Sequence, residues 1–214
     1  MNRRGIFITF EGGEGCGKST QIECLASFLR EKGKDVVVTR EPGGTPLGER
    51  VRELLKDPKG DSPTARSELL LFLAARAQLV EKVIMPALEQ GCCVLSDRFS
   101  DSTFAYQGYG RGLPLETVRL IDAFACDALV PDLTMLLDLD PAEAALRMRA
   151  REAATGTQAD RIECAGDAFH ARLREGFRTL AAAEPSRLVT IDAAGAPDNV
   201  WQRVKAAYLA AFSI

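Results

Sequence analysis

Histidine is almost missing from this sequence: His170 is the only one in 214 residues. It falls outside every candidate site identified below, which argues against histidine acid–base catalysis. Asparagine is nearly as scarce, with only Asn2 and Asn199. Asn199 is followed by Val200, so the Asn-Lys-x-Asp segment by which GTP-dependent switches commonly read guanine is lacking. None of the six cysteines (Cys16, Cys24, Cys92, Cys93, Cys126, Cys164) forms a C-x-x-C pair, which argues against zinc ligation. Without a recognisable signal peptide, reduced thiols and a cytoplasmic location are expected. No apolar run approaches the ~20 residues of a membrane span. A net charge of -3 gives no general attraction to nucleic acid. Repeats and low-complexity linkers are also missing, so 1–214 is expected to be a single domain.

What is present begins at Phe10: Phe-Glu-Gly-Gly-Glu-Gly-Cys-Gly-Lys-Ser-Thr, ending at Thr20. Gly12, Gly17, Lys18 and Ser19 satisfy G-x-x-x-x-G-K-[ST], the phosphate-binding loop pattern. Its flanks agree. Gly5 to Phe10 is a short apolar run that reads as a buried strand. Ile22, Leu25, Ala26 and Leu29 recur at helical spacing. Glycines allow successive backbone N–H groups to face one anion, and the helix N-terminus adds partial positive charge. Lys18 would neutralise phosphate charge and the Ser19 hydroxyl would ligate Mg²⁺. The chain therefore reads as a binder of a nucleoside triphosphate, with Gly12, Gly13, Glu14, Gly15, Cys16, Gly17, Lys18, Ser19 and Thr20 forming the loop.

Further runs place other polar residues at strand ends. Asp35–Arg40 reads as a strand followed by Glu41-Pro42-Gly43-Gly44-Thr45, a loop signature. Arg40 then lies at the carboxyl edge where open α/β sheets bind ligands, or is an ordinary strand-end charge. Ser67–Gln90 reads as a long helical stretch that Pro86 kinks or restarts. Phe72 and Arg76 share one of its faces: either a ring and a guanidinium for a base, or a core Phe beside an exposed Arg. Cys92–Arg98 reads as a strand in which Cys92 and Cys93 face opposite sides. It ends in Asp97-Arg98, an acid for Mg²⁺ beside an arginine for phosphate, or a mutual ion pair. Ser100–Gly112 is dense in hydroxyl, amide and aromatic groups, as small-molecule pockets tend to be. Ser102, Thr103 and Gln107 are candidates for base edges and Tyr106 for a sugar.

The C-terminal half continues the pattern. Leu115–Cys126 reads as a helix, Leu133–Leu139 as a strand, and a helix from Ala142 carries Arg147, Arg149 and Arg151. Arg147 and Arg151 share a face and Arg149 points elsewhere. Ala153–Ala159 reads as flexible, and Asp160-Arg161-Ile162-Glu163 follows. Arginines around a glycine-containing segment suggest a lid over phosphates, spanning about 147–163; the alternative is a solvated basic face. Asp167–Ala183 (helix), Arg187–Asp192 (strand) and Asn199–Phe212 (helix) complete the chain. Five strands alternating with helices predict a three-layer α/β fold with a five-stranded parallel sheet. Phosphoryl transfer suits it, since that chemistry is mainly positioning and charge stabilisation. A regulatory nucleotide-binding protein is the other class in view, and every motif expected of an enzyme is nevertheless present.

At this point the chain resembles the bacterial thymidylate kinases, nucleoside monophosphate kinases that move a phosphoryl group from ATP to dTMP. The resemblance is carried by the phosphate loop, Arg40-Glu41-Pro42-Gly43-Gly44-Thr45, the Phe72–Arg76 helix, Asp97-Arg98, Ser102 and Thr103 with Ala105-Tyr106-Gln107-Gly108, and Asp160-Arg161-Ile162-Glu163. It implies that Lys18 and the loop hold ATP and that Glu14 reaches the dTMP sugar. Phe72 would stack on thymine, Arg76 would bond its carbonyl, and Ser102, Thr103 and Gln107 would complete recognition. Tyr106 would lie under the deoxyribose. Arg40 and Arg98 would take the acceptor phosphate, with Pro42 beside them. Asp97 and Glu163 would join Ser19 in magnesium or water contacts. With no arginine at Gly13–Cys16, the resemblance implies the lid-arginine type, served by Arg149, Arg151 or Arg161. It also implies a homodimer, for which the apolar run Leu69–Leu73 leaves a face to spare.

Overall fold

All five expected strands form and lie in one parallel sheet of order β2-β3-β1-β4-β5. The computed structural model describes residues 5–57, 60, 62–156, 161 and 166–212. Its elements are β1 (Ile6–Glu11), α1 (Lys18–Glu31), β2 (Val36–Arg40), α2 (Pro46–Lys56), α3 (Ala65–Leu79), α4 (Met85–Glu89), β3 (Cys93–Asp97), α5 (Ser100–Thr103), α6 (Leu115–Ala125), β4 (Leu133–Asp138), α7 (Pro141–Thr155), α8 (Asp167–Ala183), β5 (Leu188–Asp192) and α9 (Pro197–Phe212). β1 is central, with Ile8 opposite Leu95 of β3 and Leu133 of β4. The chain order reverses on either side of β1, so its carboxyl end opens into the crevice where such sheets bind ligands.

Strand periodicity splits the core. Ile8, Phe10, Cys93, Leu95 and Met135 pack on Leu25, Leu29, Val204 and Tyr208 of α1 and α9. Phe7, Cys92 and Val94 pack on the other face against Leu79, Ile84 and Leu88. Cys92 and Cys93 therefore do face opposite sides. Each fully buried Leu, Ile or Phe here contributes about 1.5–3 kcal/mol.

Of the two alternatives at Pro86, the structure shows the restart. α3 runs into a π-helical stretch, Val80–Ile84, before α4. Pro86 has no N–H for the carbonyl four residues back, and the preceding turn widens. One expectation needs correction: Ala153 is not the start of a flexible segment. α7 continues through Thr155 and stops at Gly156, which takes φ 68. Alanines favour helix and glycine closes it in the left-handed conformation. Asp160, Glu163 and Cys164 lie outside the described residues.

Candidate active site

The phosphate loop joins β1 to α1. Gly17 sits at φ 91 before the first helical residue, Lys18. Gly12, at φ 130, leaves no room for a side chain, since a Cβ would lie 2.4 Å from the Leu137 carbonyl oxygen. Lys18 Nζ donates to the carbonyls of Gly12 (3.2 Å) and Gly13 (2.9 Å). A cavity of about 580 Å³ opens in front of the loop, within the usual range for small-molecule sites. Its walls run from Glu14, Gly15, Lys18, Ser19 and Thr20 to Phe72, Arg76 and Gln107. Gly12, Gly13 and Cys16, expected with the rest of the loop, instead line a second cavity of about 340 Å³ behind it.

β3 delivers Asp97 and Arg98 to the middle of the front cavity. The Asp97 carboxylate accepts from Ser19 Oγ at 3.3 Å, while its other oxygen is buried without a partner among the described residues. A hydroxyl and a half-used carboxylate side by side fit a Mg²⁺ ion, which commonly takes one or two protein oxygens plus phosphates. The Asp97–Arg98 ion pair considered above does not form. Arg98, at φ 74, turns instead over the loop. Its Nη1 donates to the Gly12 carbonyl (3.0 Å) and Ser102 Oγ (3.2 Å), and its Nη2 to Glu14 Oε1 (2.5 Å). Its guanidinium lies 5.0 Å from the Tyr106 ring centre. Burial pushes the Glu14 carboxyl up, but Arg98 and Lys18 outweigh it and hold it at about 2. Both charges are thus present at neutral pH.

Beneath this pair lies Glu11, fully buried at the end of β1. It accepts from the Phe99 N–H (2.8 Å), the Ser102 N–H (3.3 Å) and Ser102 Oγ (2.5 Å). Burial, reinforced by Asp101, pushes its carboxyl up to about 8.

The far end of the cavity is built on α3 and on Ser100–Gly110, which folds as α5 followed by a π-helical turn, Phe104–Gly110. Arg76 is 1 % exposed, which removes the reading of an exposed arginine. It pairs with Glu41 and with Asp122 (2.5 Å), and its Nη1 donates to Thr103 Oγ1 at 2.8 Å. Phe72, partly exposed, stands on the cavity wall. Gln107 Nε2 donates to Glu68 Oε1 at 3.0 Å. Arg40 and Pro42 line the cavity's outer side, with Arg40 paired to Glu49 at 2.9 Å.

The three candidate lid arginines go to three places. Arg151 lines the front cavity together with Arg147 and Met148. Arg149 lines the rear cavity with Asp138, His170 and Arg174. Arg161 does not reach the loop and pairs with Glu68 at 2.9 Å. Glu11, Glu41, Glu68 and Asp122 join the site beyond the residues expected from the sequence. For Glu11 and Glu41 the signal was present, since both sit inside motifs already singled out. For Glu68 it was a carboxylate on the otherwise apolar stretch of α3.

A family model described as thymidylate kinase matches residues 10–204. A thymidylate kinase of Exiguobacterium sp. is 50% identical over 189 residues, covering 88% of this chain and 87% of its own. One from Deinococcus radiodurans is 50% identical over 204 residues, covering 95% and 96%. The crystal structure of thymidylate kinase from Ehrlichia chaffeensis superposes with a TM-score of 0.76 at 36% identity, covering 96% of this chain and 98% of that one.

Proposed function

The chain belongs to the thymidylate kinase family, and from that premise we propose that it transfers the γ-phosphoryl group of ATP to dTMP, giving dTDP and ADP. The observation that carries the reading is the front cavity. A phosphate loop stands at one end, a ring, an amide and a buried guanidinium stand at the other, and the Arg98–Glu14 pair lies between. In this reading Lys18 and the loop amides hold the donor phosphates. Arg98 and Arg40 hold the acceptor phosphate, and Glu14 takes the sugar hydroxyl. Phe72 stacks on the base, Arg76, Thr103 and Gln107 contact its edge, and the Tyr106 ring packs under the deoxyribose. Arg151 closes on the transferred group, where positive charge stabilises the spreading negative charge. Ser19 and Asp97 would hold a Mg²⁺ ion, which would supply charge neutralisation for the phosphates. The acceptor oxygen is itself anionic, so positioning suffices and no histidine is required.

Two finer parts belong to the same proposal. The protein works in the cytoplasm, which the five free described cysteines support. It also works as a homodimer, supported by exposed apolar side chains on three neighbouring helices: Leu47 and Leu54 of α2, Leu70 of α3, and Leu120 and Phe124 of α6.

A coupled ADP-release assay with ATP and Mg²⁺ tests the reaction, comparing dTMP, dUMP, dCMP, dGMP and AMP as acceptors. Strong preference for dTMP is expected. Turnover with a different monophosphate would overturn the base contacts. No turnover by folded, ATP-binding protein would favour the regulatory class.

A further inference from the structure

One buried carboxylate has no place in the reaction as drawn. The Glu68 side chain is 2 % exposed and lies one helical turn before Phe72. Its Oε1 accepts from Gln107 Nε2 (3.0 Å) and Arg111 Nε (3.1 Å). Its Oε2 accepts from Arg111 Nη2 (3.0 Å) and Arg161 Nη2 (2.9 Å). Burial pushes this carboxyl up, but the bonds from Arg111, Gln107 and Arg161 outweigh burial and keep it below the usual range. It is therefore ionised at neutral pH.

An ionised carboxylate only accepts hydrogen bonds. Gln107 can offer it only the NH₂ end of its amide, which sends the carbonyl oxygen the other way. Gln107 is 2 % exposed and forms part of the front cavity's wall. Among the described residues no donor meets that carbonyl oxygen. A related logic fixes its neighbour. Thr103 Oγ1 accepts from the Arg76 guanidinium, which only donates, so the Thr103 hydroxyl proton is directed elsewhere.

We propose that Glu68 is a positioning residue that sets base specificity: by orienting the Gln107 amide it makes the pocket present an acceptor beside the donors Thr103 and Arg76. That pattern complements a pyrimidine edge carrying a ring N–H next to a carbonyl oxygen, as in thymine and uracil. Cytosine offers the reverse, a bare ring nitrogen next to an amino group. The proposal deepens the assignment of dTMP as acceptor and rests on it. Gln107 and Arg161 both bond Glu68, so the same carboxylate ties the base pocket to the chain that follows α7.

Glu68→Gln tests this. A neutral amide at 68 can meet Gln107 with either end and so releases its orientation. The kcat/KM for dTMP is expected to fall by about tenfold or more, mainly through KM, because a mispaired buried polar group is what rejects a base. The value for dCMP does not fall in parallel, so the dTMP-over-dCMP ratio contracts by about tenfold or more. The KM for ATP stays unchanged, and Glu68→Asp, which keeps the charge, retains the ratio. Calorimetric binding of dTMP and dCMP follows the same order. Equal losses for both monophosphates, or an unchanged ratio, would overturn the role and leave Glu68 a structural ion-pair residue. A wild-type protein that uses dCMP as readily as dTMP would overturn the acceptor assignment itself, and this proposal with it. Should Glu68→Gln fail to fold, Gln107→Ala must contract the ratio in the same way. A retained ratio there overturns the proposal too, since Glu68 acts only through that amide.

Discussion

Arg98 is where backbone strain and charge meet. Its φ of 74 is sparsely populated for a residue with a side chain and costs about 1–3 kcal/mol. Two bonds hold it there: its N–H donates to the Phe10 carbonyl (3.0 Å), and Ser96 Oγ donates to its own carbonyl (2.8 Å). The strained turn is what aims the guanidinium across the phosphate loop at Glu14. Arg98→Ala should lower activity by about tenfold or more, since a charge-assisted contact to the acceptor phosphate is removed. Activity within twofold of wild type would refute the contact. Arg98→Gly should be as inactive as Arg98→Ala yet melt higher, because glycine takes positive φ freely, and thermal melts of the two variants check it. Phe72→Ala should raise the KM for dTMP and leave that for ATP unchanged; steady-state kinetics showing equal effects would make Phe72 a core residue. Glu11 gives a pH dependence. Burial raises its carboxyl to about 8, so between its unfolded value near 4.5 and that point the folded state binds the extra proton. Its contribution is therefore favourable at low pH and is lost as pH rises through the window, at about 1.4 kcal/mol per pH unit at most. Glu11→Gln should remove that slope, so its urea-unfolding free energy should gain on wild type from pH 5 to pH 8.

At the scale of elements, α7 separates its arginines by helical geometry. Arg147 and Arg151 are four apart and reach the front cavity, while Arg149 reaches the rear one. Arg151→Ala should therefore lower kcat by about tenfold or more, whereas Arg149→Ala should stay within about threefold; single-turnover rates decide between them. The division of the α7 face was legible in the sequence because 3.6-residue periodicity is a local property. So were the five strands and the loop, whose patterns sit within a dozen residues. The Phe72–Arg76 pair shows where local reading stops. Spacing put both on one face of α3 but could not say that the arginine would be the buried one. Its burial depends on Glu41 at the end of β2 and Asp122 in α6, far away in sequence and brought near only by the fold. Glu68 stands out in the sequence as a carboxylate on an apolar stretch, but its partners Gln107, Arg111 and Arg161 come from other parts of the chain and only the fold supplies them. Proximity to a glycine-containing segment likewise does not tell which carboxylate Arg161 pairs with, and in the structure it is Glu68.

At the scale of the whole molecule, five of the eight exposed large apolar side chains among the described residues lie on α2, α3 and α6, the others being Val38, Val130 and Leu146. Phe124 is 88% exposed and Leu120 74%, with Leu54 and Leu70 each more than half exposed. Scattered single exposed leucines need no explanation, whereas exposed apolar residues on helices that pack together support the proposed association. α2 packs on α3 and α3 on α6, so these residues form a surface that a second copy can cover with the same helices by two-fold symmetry. A stable dimer buries roughly 800 Å² per partner. Light scattering behind a sizing column should return twice the 23.2 kDa chain mass. Phe124→Glu should return the single chain, because the charge would be buried unpaired in the interface. The consequence reaches the site, since Leu70 and Phe72 lie on the same helix, one facing outward and the other lining the cavity. Uncovering α3 should loosen Phe72 and Arg76 together, so the monomeric variant should show a raised KM for dTMP with the KM for ATP held. A wild-type protein that is monomeric at micromolar concentration would remove the dimer. A monomeric variant with unchanged kinetics would keep the dimer and cut its link to the base pocket.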